Sequence, residues 1–499
     1  MFKLNIFFHN KYGDNMNKSI WLDNIESISF PDLDKDCDCD ILIIGGGITG
    51  ACCAYFLKES NKKVILVESN KIAHGTSSKT TGKLTFLQED NLLKIKNIYN
   101  EKKAIDYLSS QKLAIELAKD IITTNKINCD LEEVNSYIFT NNKNNIFKIT
   151  DTYNIIKNYC SASTGTKIPL KIKSYSSIKV NNTYVFHPVK FIFGVIKSLN
   201  DNIKIYENTR VINLTKKKDY WIAETTNHII KAKKVILACH YPFFLKPYFF
   251  PLKTSIEKSY LIATKTEEIK PVSIINIDQK VLSFRFHQNE NKYFIFVSES
   301  NDLYKNINDD YKDNQLTNFM NNHFNNKVSY SWSNHDIMTS DYMPLIGKID
   351  TNLFLATGYN TWGMTNGILA GKIISDIILR KKNNYISLFN PLRKIENIPQ
   401  IINYNFKNGI AFFSTKINKK KSFYQDNVKI IKEDGIWYGI YTDNNNIEHK
   451  VLNKCPHMKC NLYFNYQMKS WDCPCHGSSF DIDGNIIYGP STYNIKEQK

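Results

Sequence analysis

Two short runs near the end of the chain carry the side chains best suited to chemistry. Cys455-Pro456-His457 is followed, after fifteen intervening residues, by Cys473-Pro474-Cys475-His476-Gly477-Ser478. Each run offers a thiolate and an imidazole at ligand spacing. Four such groups can close a tetrahedral zinc site. They can equally hold a [2Fe-2S] cluster, with Cys455 and Cys473 on one iron and His457 and His476 on the other. The eleven cysteines do not read as a disulfide framework. Cys37, Cys39, Cys52, Cys53, Cys129, Cys160 and Cys239 have no ligand partner at useful spacing.

A one-electron centre needs an electron source, and the other end of the chain supplies a candidate. Asp40-Ile41-Leu42-Ile43-Ile44 reads as a buried parallel strand, followed at once by Gly45-Gly46-Gly47-Ile48-Thr49-Gly50. Gly45, Gly47 and Gly50 have dinucleotide-fingerprint spacing: a tight turn, a close backbone approach to pyrophosphate, and helix packing on strand. The next strand, Lys63 to Val67, ends at Glu68, where an acid can accept hydrogen bonds from a ribose hydroxyl. Strand, glycines, helix, strand and acid together outweigh a bare glycine turn.

Beyond Glu68 stands Gly75-Thr76-Ser77-Ser78-Lys79-Thr80-Thr81-Gly82-Lys83-Leu84-Thr85. Far downstream, Ala356-Thr357-Gly358-Tyr359-Asn360-Thr361-Trp362-Gly363-Met364-Thr365-Asn366-Gly367 opens a long helical pattern. Both resemble flavin-contact segments of the D-amino-acid-oxidase-like FAD oxidoreductases. Tyr184 to Pro188, Tyr206 to Val211 and Val235 to His240 fit the same family. The tail resembles a Rieske [2Fe-2S] domain, and the whole chain is similar to the branch that joins the two.

The resemblance implies an α/β dinucleotide-binding (Rossmann-like) FAD domain, an interleaved α+β substrate domain and a C-terminal all-β Rieske domain. The expected boundaries are an N-terminal arm over residues 1–36 and an oxidoreductase unit over 37–393. Within that unit the FAD parts are about 37–90, 187–240 and 340–393, and the substrate parts about 130–186 and 241–339. A polar linker over 394–420 and the Rieske domain over 421–499 complete the chain.

The same resemblance implies roles. Thr80, Thr81 and Lys83 run alongside the flavin, with Lys83 able to bias N5 or the anionic form; the alternative for Lys83 is a salt-bridged surface lysine. Val211 makes a backbone contact with adenine. Gly363, Met364 and Thr365 open a helix whose positive end faces the pyrimidine side of the ring, with Thr365 donating its hydroxyl. Cys460 and Cys475 sit where respiratory-type Rieske proteins have a disulfide, and Lys459 stands where they usually have Gly. Ser478 can hydrogen-bond a bridging sulfide. Phe480 replaces the Tyr of high-potential members, which predicts a lower potential.

The family oxidises C–N bonds of amines and amino acids, chemistry that needs positioning more than a dedicated base. Arg285, on a predicted strand, either clamps a carboxylate or faces solvent. Tyr260 and His240 are further catalytic candidates; His240, where relatives have Gly, either lines the active site or caps a turn. The expected partners are a small amine or amino-acid substrate and an electron-acceptor protein or quinone.

Size and charge bound the alternatives. A chain of 499 residues suits two or three domains. The net charge of +17 comes mostly from scattered Lys among Asn and Ile, not one basic stripe, so a nucleic-acid partner is not expected. The sharpest basic run, Lys416 to Lys421, reads as solvated linker. Neither a secretory signal nor a spanning run of roughly eighteen apolar residues is present, which predicts a cytoplasmic enzyme. The aromatic run Tyr241 to Pro251 reads as a substrate-domain loop. A Rieske oxygenase would need a two-His, one-carboxylate iron site, which the scattered His do not offer. A reductase using NAD(P)H would need a second glycine fingerprint. A substrate-less redox relay or sensor is the remaining alternative.

Overall fold

The computed structural model describes residues 15–16, 18–243, 250–278, 282–288, 291–302, 318, 328–417, 423–425, 427–466 and 468–496. Parts of three expectations lie outside these residues: the arm up to residue 14, the loop over 244–249 and the basic run over 418–421.

The apolar run Cys37–Ile44 forms the central strand of the first sheet. Val64–Val67 and Ile203–Tyr206 extend it in parallel on one side, and Ile229–Leu237 and Leu353–Thr357 on the other. Leu345–Asp350 closes the far edge antiparallel. Where they are covered on both faces, over residues 41–44, 64–67, 235–237 and 353–355, the strands read as continuous apolar runs. The helix Ile48–Leu57 leaves the first strand through Gly45, whose φ of +113° and carbonyl-crowded environment leave no room for a Cβ. The helix Gly363–Leu379 packs against it so tightly that a Cβ at Gly371 would lie 2.6 Å from the Cβ of Cys52.

The second sheet has ten strands and wraps a large cavity. Val328–Thr339 and Thr254–Lys265 are its long antiparallel pair, with Lys258 opposite His335 and Glu257 opposite Asp336. Alternation along these strands divides their residues between two faces. Glu257, Ser259, Asn334 and Asp336 face the cavity. On the back, Lys258 meets Asp472 of the C-terminal domain (Nζ–O 3.7 Å), and His335 meets Tyr488 (centroids 5.2 Å).

Two segments differ from the sequence expectation. The N-terminal arm is anchored in the core at Ile20, Trp21 and Leu33: Trp21 is fully buried, donates from Nε1 to Thr80 O (2.6 Å), and presents its ring to His187, His287 and the Arg285 guanidinium. The apolar triplet Ile20-Trp21-Leu22 is too short to show a period, so its anchoring role has no local signature. The expected linker holds a helix, Ile398–Ile417, whose Asn405 donates to Leu252 O (3.1 Å) and whose Tyr404 is buried. Ile398, Ile402 and Phe406 are exposed on its outer face, while Tyr404 and Gln400 turn inward to the cavity.

The C-terminal domain is all β: two four-stranded sheets, over Phe423–Leu452 and Tyr463–Tyr488. No helix among the described residues is long and apolar enough to cross a membrane.

Candidate active site and cluster centre

Two adjoining cavities meet at the edge of the first sheet. The narrower, about 370 Å³, is lined by Gly45, Gly47, Glu68, Val211, Gly363 and Met364, the residues singled out for a dinucleotide. Glu68 orders the turn: its carboxylate accepts from Gly46 N (2.8 Å), Asn70 N (3.0 Å) and Ser69 Oγ (2.9 Å). Gly50 does not line the cleft. A Cβ there would overlap the Gly45 carbonyl, so its role is close packing. The cleft fits an extended dinucleotide: glycine backbone at the pyrophosphate position, an acid at the ribose and a helix N-terminus at the far end.

The wider cavity, about 890 Å³, shares Lys79, Thr80, Asn334, Asp336, Thr361 and Met364 with the cleft. Thr81 and Lys83 line only the wider one. Lys83 is buried, not a surface lysine; its Nζ donates to Ser283 Oγ (2.6 Å) and Ile274 O (3.1 Å). Burial, then repulsion from Arg285, lowers its pKa to about 7. Burial, opposed by the Lys94 charge, brings Glu89 up to about 7, and burial does the same for Asp336. Asn334 Oδ1 is buried at the junction of the two cavities without a protein partner.

Four sequence candidates sit elsewhere. Arg285 is neither a carboxylate clamp nor solvent-facing. It is 1% exposed and donates to Thr81 O (2.7 Å), Gly82 O (2.9 Å), Phe186 O (3.0 Å) and Phe286 O (3.0 Å). The Thr81 and Gly82 carbonyls belong to the flavin-segment turn, and the guanidinium ties it from behind to Phe186 and Phe286. Tyr260 follows Ser259 and precedes Leu261, which both line the cavity, so it points to the other face and into an aromatic core with Phe284 and Phe296. His240 lines the narrow cleft, not the substrate cavity. Its φ of +66° explains why relatives favour Gly there, and burial lowers its pKa to about 4. Thr365 does not reach the cleft: its hydroxyl accepts from Gln88 Nε2 (3.1 Å) and donates to Trp362 O (3.4 Å).

In the C-terminal domain Cys455, Cys473 and His476 are buried, and His457 is part-buried. The imidazoles of His457 and His476 stand 5.0 Å apart at 89°. Both nitrogens of His457 and Nδ1 of His476 are buried with no hydrogen-bond partner. Burial lowers both imidazoles, to about 4 and about 3, so they are neutral. The thiols of Cys455 and Cys473 are hydrogen-bonded to each other, which lowers Cys455 and raises Cys473. Orphaned neutral imidazoles beside paired thiols fit a cluster held by two sulfurs and two nitrogens. Cys460 and Cys475 form a disulfide between the two loops, close to Cys473. Lys459 has a φ of +60°, the conformation that explains the Gly usual there.

A family model described as FAD dependent oxidoreductase (DAO) matches residues 40–377, more than half of the chain. The chain belongs to this family. A second, the Rieske [2Fe-2S] domain, matches residues 414–499 of this DAO-family protein. A Bacillus subtilis (strain 168) protein provisionally named Rieske 2Fe-2S iron-sulfur protein YhfW is 28% identical, over 96% of this chain and 97% of its own. The gamma-glutamylputrescine oxidoreductase of Escherichia coli (strain K12) is 20% identical over 70% of this chain and 85% of its own. Among solved structures, the glycine oxidase from Geobacillus kaustophilus superposes with a TM-score of 0.59 at 16% identity, over 72% of this chain and 99% of that one. The DAO-family chain is thus an FAD oxidoreductase carrying a Rieske iron–sulfur domain.

Lys79, Glu89, Asp336, Tyr241 and Tyr488 line the cavities without having been individual sequence candidates. Lys79 lies within the flavin-contact segment over residues 75–85, Tyr241 opens the aromatic run, and Asp336 alternates with Asn334 and Met338 on a strand; Glu89 and Tyr488 carry no such signal.

Proposed function

We propose that this protein oxidises a small amine or amino-acid-like substrate in the wider cavity and passes the electrons singly to an acceptor protein or quinone. Bound FAD supplies the two-electron oxidant, and a bound [2Fe-2S] cluster supplies one-electron passage. The observation that carries this reading is the junction of the cavities: Asp336, Asn334 and Met364 face both the cleft and the substrate space. Gly45, Gly47, Glu68 and Val211 would hold the dinucleotide. Cys455 and Cys473 would take one iron, His457 and His476 the other.

The chain's own residues prepare the substrate. Glu89, Glu257 and Asp336 give the cavity carboxyl groups that suit an ammonium group, and its described basic lining residues are the lysines Lys79, Lys83, Lys94 and Lys148. Lys83 Nζ, with a pKa near neutrality, can take the proton an ammonium loses before its C–N bond is oxidised. The helix at Gly363 directs unpaired amides at the cleft, where they favour negative charge. The relative that acts on gamma-glutamylputrescine and the fold shared with glycine oxidase support an amine or amino acid.

The test is anaerobic mixing of the loaded protein with a panel of amines and amino acids. Bleaching of the flavin's visible absorbance, followed by the cluster's paramagnetic signal, is the expected result. Reduction only by a partner protein would leave a relay without substrate, and reduction by NADH would overturn the reading.

A further inference from the structure

The narrow cleft is not built by the flavin domain alone. Ile487, Tyr488, Gly489, Ser491 and Thr492 of the C-terminal domain line it together with Gly47 and Glu68. We propose that the FAD site is completed by this segment, which forms the cleft's outer wall and keeps the cofactor in place.

The segment is fixed to the flavin domain at both ends of the cleft. At the ribose end, Asn70, two residues past Glu68, donates from Nδ2 to Ile487 O (2.8 Å). At the flavin end, Lys79 Nζ lies 4.4 Å from the Tyr488 ring centroid, and the His335 imidazole lies 5.2 Å from it. From behind, the segment rests on the cluster-binding loop. Ser491 N donates to Ser478 Oγ (3.1 Å), and Gly489, with a φ of +108°, sits so close that a Cβ would meet Ser478 Cα at 2.5 Å. The buried Lys258–Asp472 pair presses the same domain onto the sheet behind the cavity. One strip of backbone therefore separates the two cofactor sites and touches both.

Two consequences follow. The wall covers the cleft between Glu68 and Lys79, so retention of FAD depends on a docked C-terminal domain. By reciprocity, bound FAD holds that domain in place. Tyr488 is thus a cofactor-retaining residue contributed across a domain boundary, and Asn70 is the flavin-domain residue that anchors its segment.

The experiment uses the full chain with both cofactors. FAD release is followed by the recovery of free-flavin fluorescence in the wild type, in Tyr488→Ala and in the Asn70→Ala/Tyr488→Ala double variant. The double variant is expected to hold FAD about tenfold more weakly, the scale of one lost cation–π contact plus one hydrogen bond. The cluster's visible dichroism reports whether the domain still folds. Unchanged FAD release with an intact cluster spectrum overturns the proposal. If the variants lose the cluster, hydrogen exchange on the wild type decides. Amides of residues 487–492 protected more strongly with FAD than without it support the wall, and equal protection overturns it. The inference rests on the FAD placement proposed above, which Glu68→Ala tests alone. Weakened FAD in Glu68→Ala with normal retention in the double variant rejects only the wall. Normal retention in Glu68→Ala rejects the placement and the wall with it.

Discussion

The Tyr241 ring lies 5.7 Å, centroid to centroid, from the His476 imidazole, tilted by 46°. Tyr241 lines the dinucleotide cleft and is 4% exposed, packed with Ile256 and Ile337. Gly477, next to His476, rests on the same Ile256. The cluster loop is therefore packed onto the cleft wall with no solvent gap at this contact. Electron tunnelling favours packed atoms over open gaps, so the aromatic ring is expected to matter and its hydroxyl not. Tyr241→Phe should leave cluster reduction at wild-type speed. Tyr241→Ala should slow it several-fold while flavin reduction by substrate keeps its rate. Stopped-flow absorbance, with freeze-quenched samples for the cluster signal, separates the two steps. Equal rates in all three proteins would sink the contact's role.

Arg285 offers a second test. Its donors serve the carbonyls of Thr81, Gly82, Phe186 and Phe286. An unsatisfied buried acceptor costs about 1–3 kcal/mol. Arg285→Met should therefore lower stability by several kcal/mol, read as a fall in Tm. Arg285→Lys cannot reproduce the fork and should recover little. In whichever variant retains FAD, KM for an amino acid should change no more than for an amine, since no substrate carboxylate meets this residue.

The Cys/His-rich runs and the glycine turn were legible because each is written in contiguous residues at a characteristic spacing. The parallel strands were legible for the same local reason. What stayed hidden depends on which side of a strand faces what. Arg285 and Tyr260 read as candidates because a strand position says nothing of its neighbours across the sheet. Thr365 lies one residue past Met364, which lines the cleft, and helix geometry turns it toward Gln88 instead. Trp21 gains its partners Thr80 and His287 only after long loops close. The contacts between domains, Lys258 with Asp472 and Asn70 with Ile487, join residues far apart in sequence and have no local signature.

Lys83 ties the substrate cavity to pH. Burial, then Arg285, lowers its folded pKa from 10.5 to about 7. Between those values the unfolded chain binds the extra proton, so stability should rise as pH increases from about 7 toward 10. Below about 7 both states are protonated and this contribution is flat, with the buried charge at full cost. Lys83→Met should remove that dependence, leaving Tm less sensitive to alkaline pH. The same variant should abolish an alkaline-rising limb of kcat/KM centred near 7. A wild-type Tm that falls steadily across this window would contradict the shift.

The Cys460–Cys475 disulfide closes a loop of 15 residues. A link of that span stabilises by about 3 kcal/mol. Its sulfurs adjoin Cys473, so the bond also fixes the loop that presents one thiol and His476. Cys460→Ser/Cys475→Ser should lower the unfolding temperature of the C-terminal domain and release iron faster into a chelator. Retention of the full cluster signal at unchanged temperature would show the bond to be dispensable.

Ser478 lies where cluster and wall meet. Its hydroxyl is hydrogen-bonded to Cys455, lowering that thiol, and its oxygen accepts from Ser491 N. A donor aimed at a ligand sulfur stabilises the extra negative charge of the reduced state, so it raises the potential. Ser478→Ala should therefore lower the midpoint of the bound cluster. Phe480, fully buried in the adjacent strand, carries no hydroxyl to add to that effect. Phe480→Tyr should move the midpoint the other way if the new hydroxyl reaches a ligand sulfur. Redox titration followed by the reduced cluster's paramagnetic signal measures both shifts, and a Ser478→Ala midpoint equal to the wild type would remove the hydroxyl from the set of tuning groups.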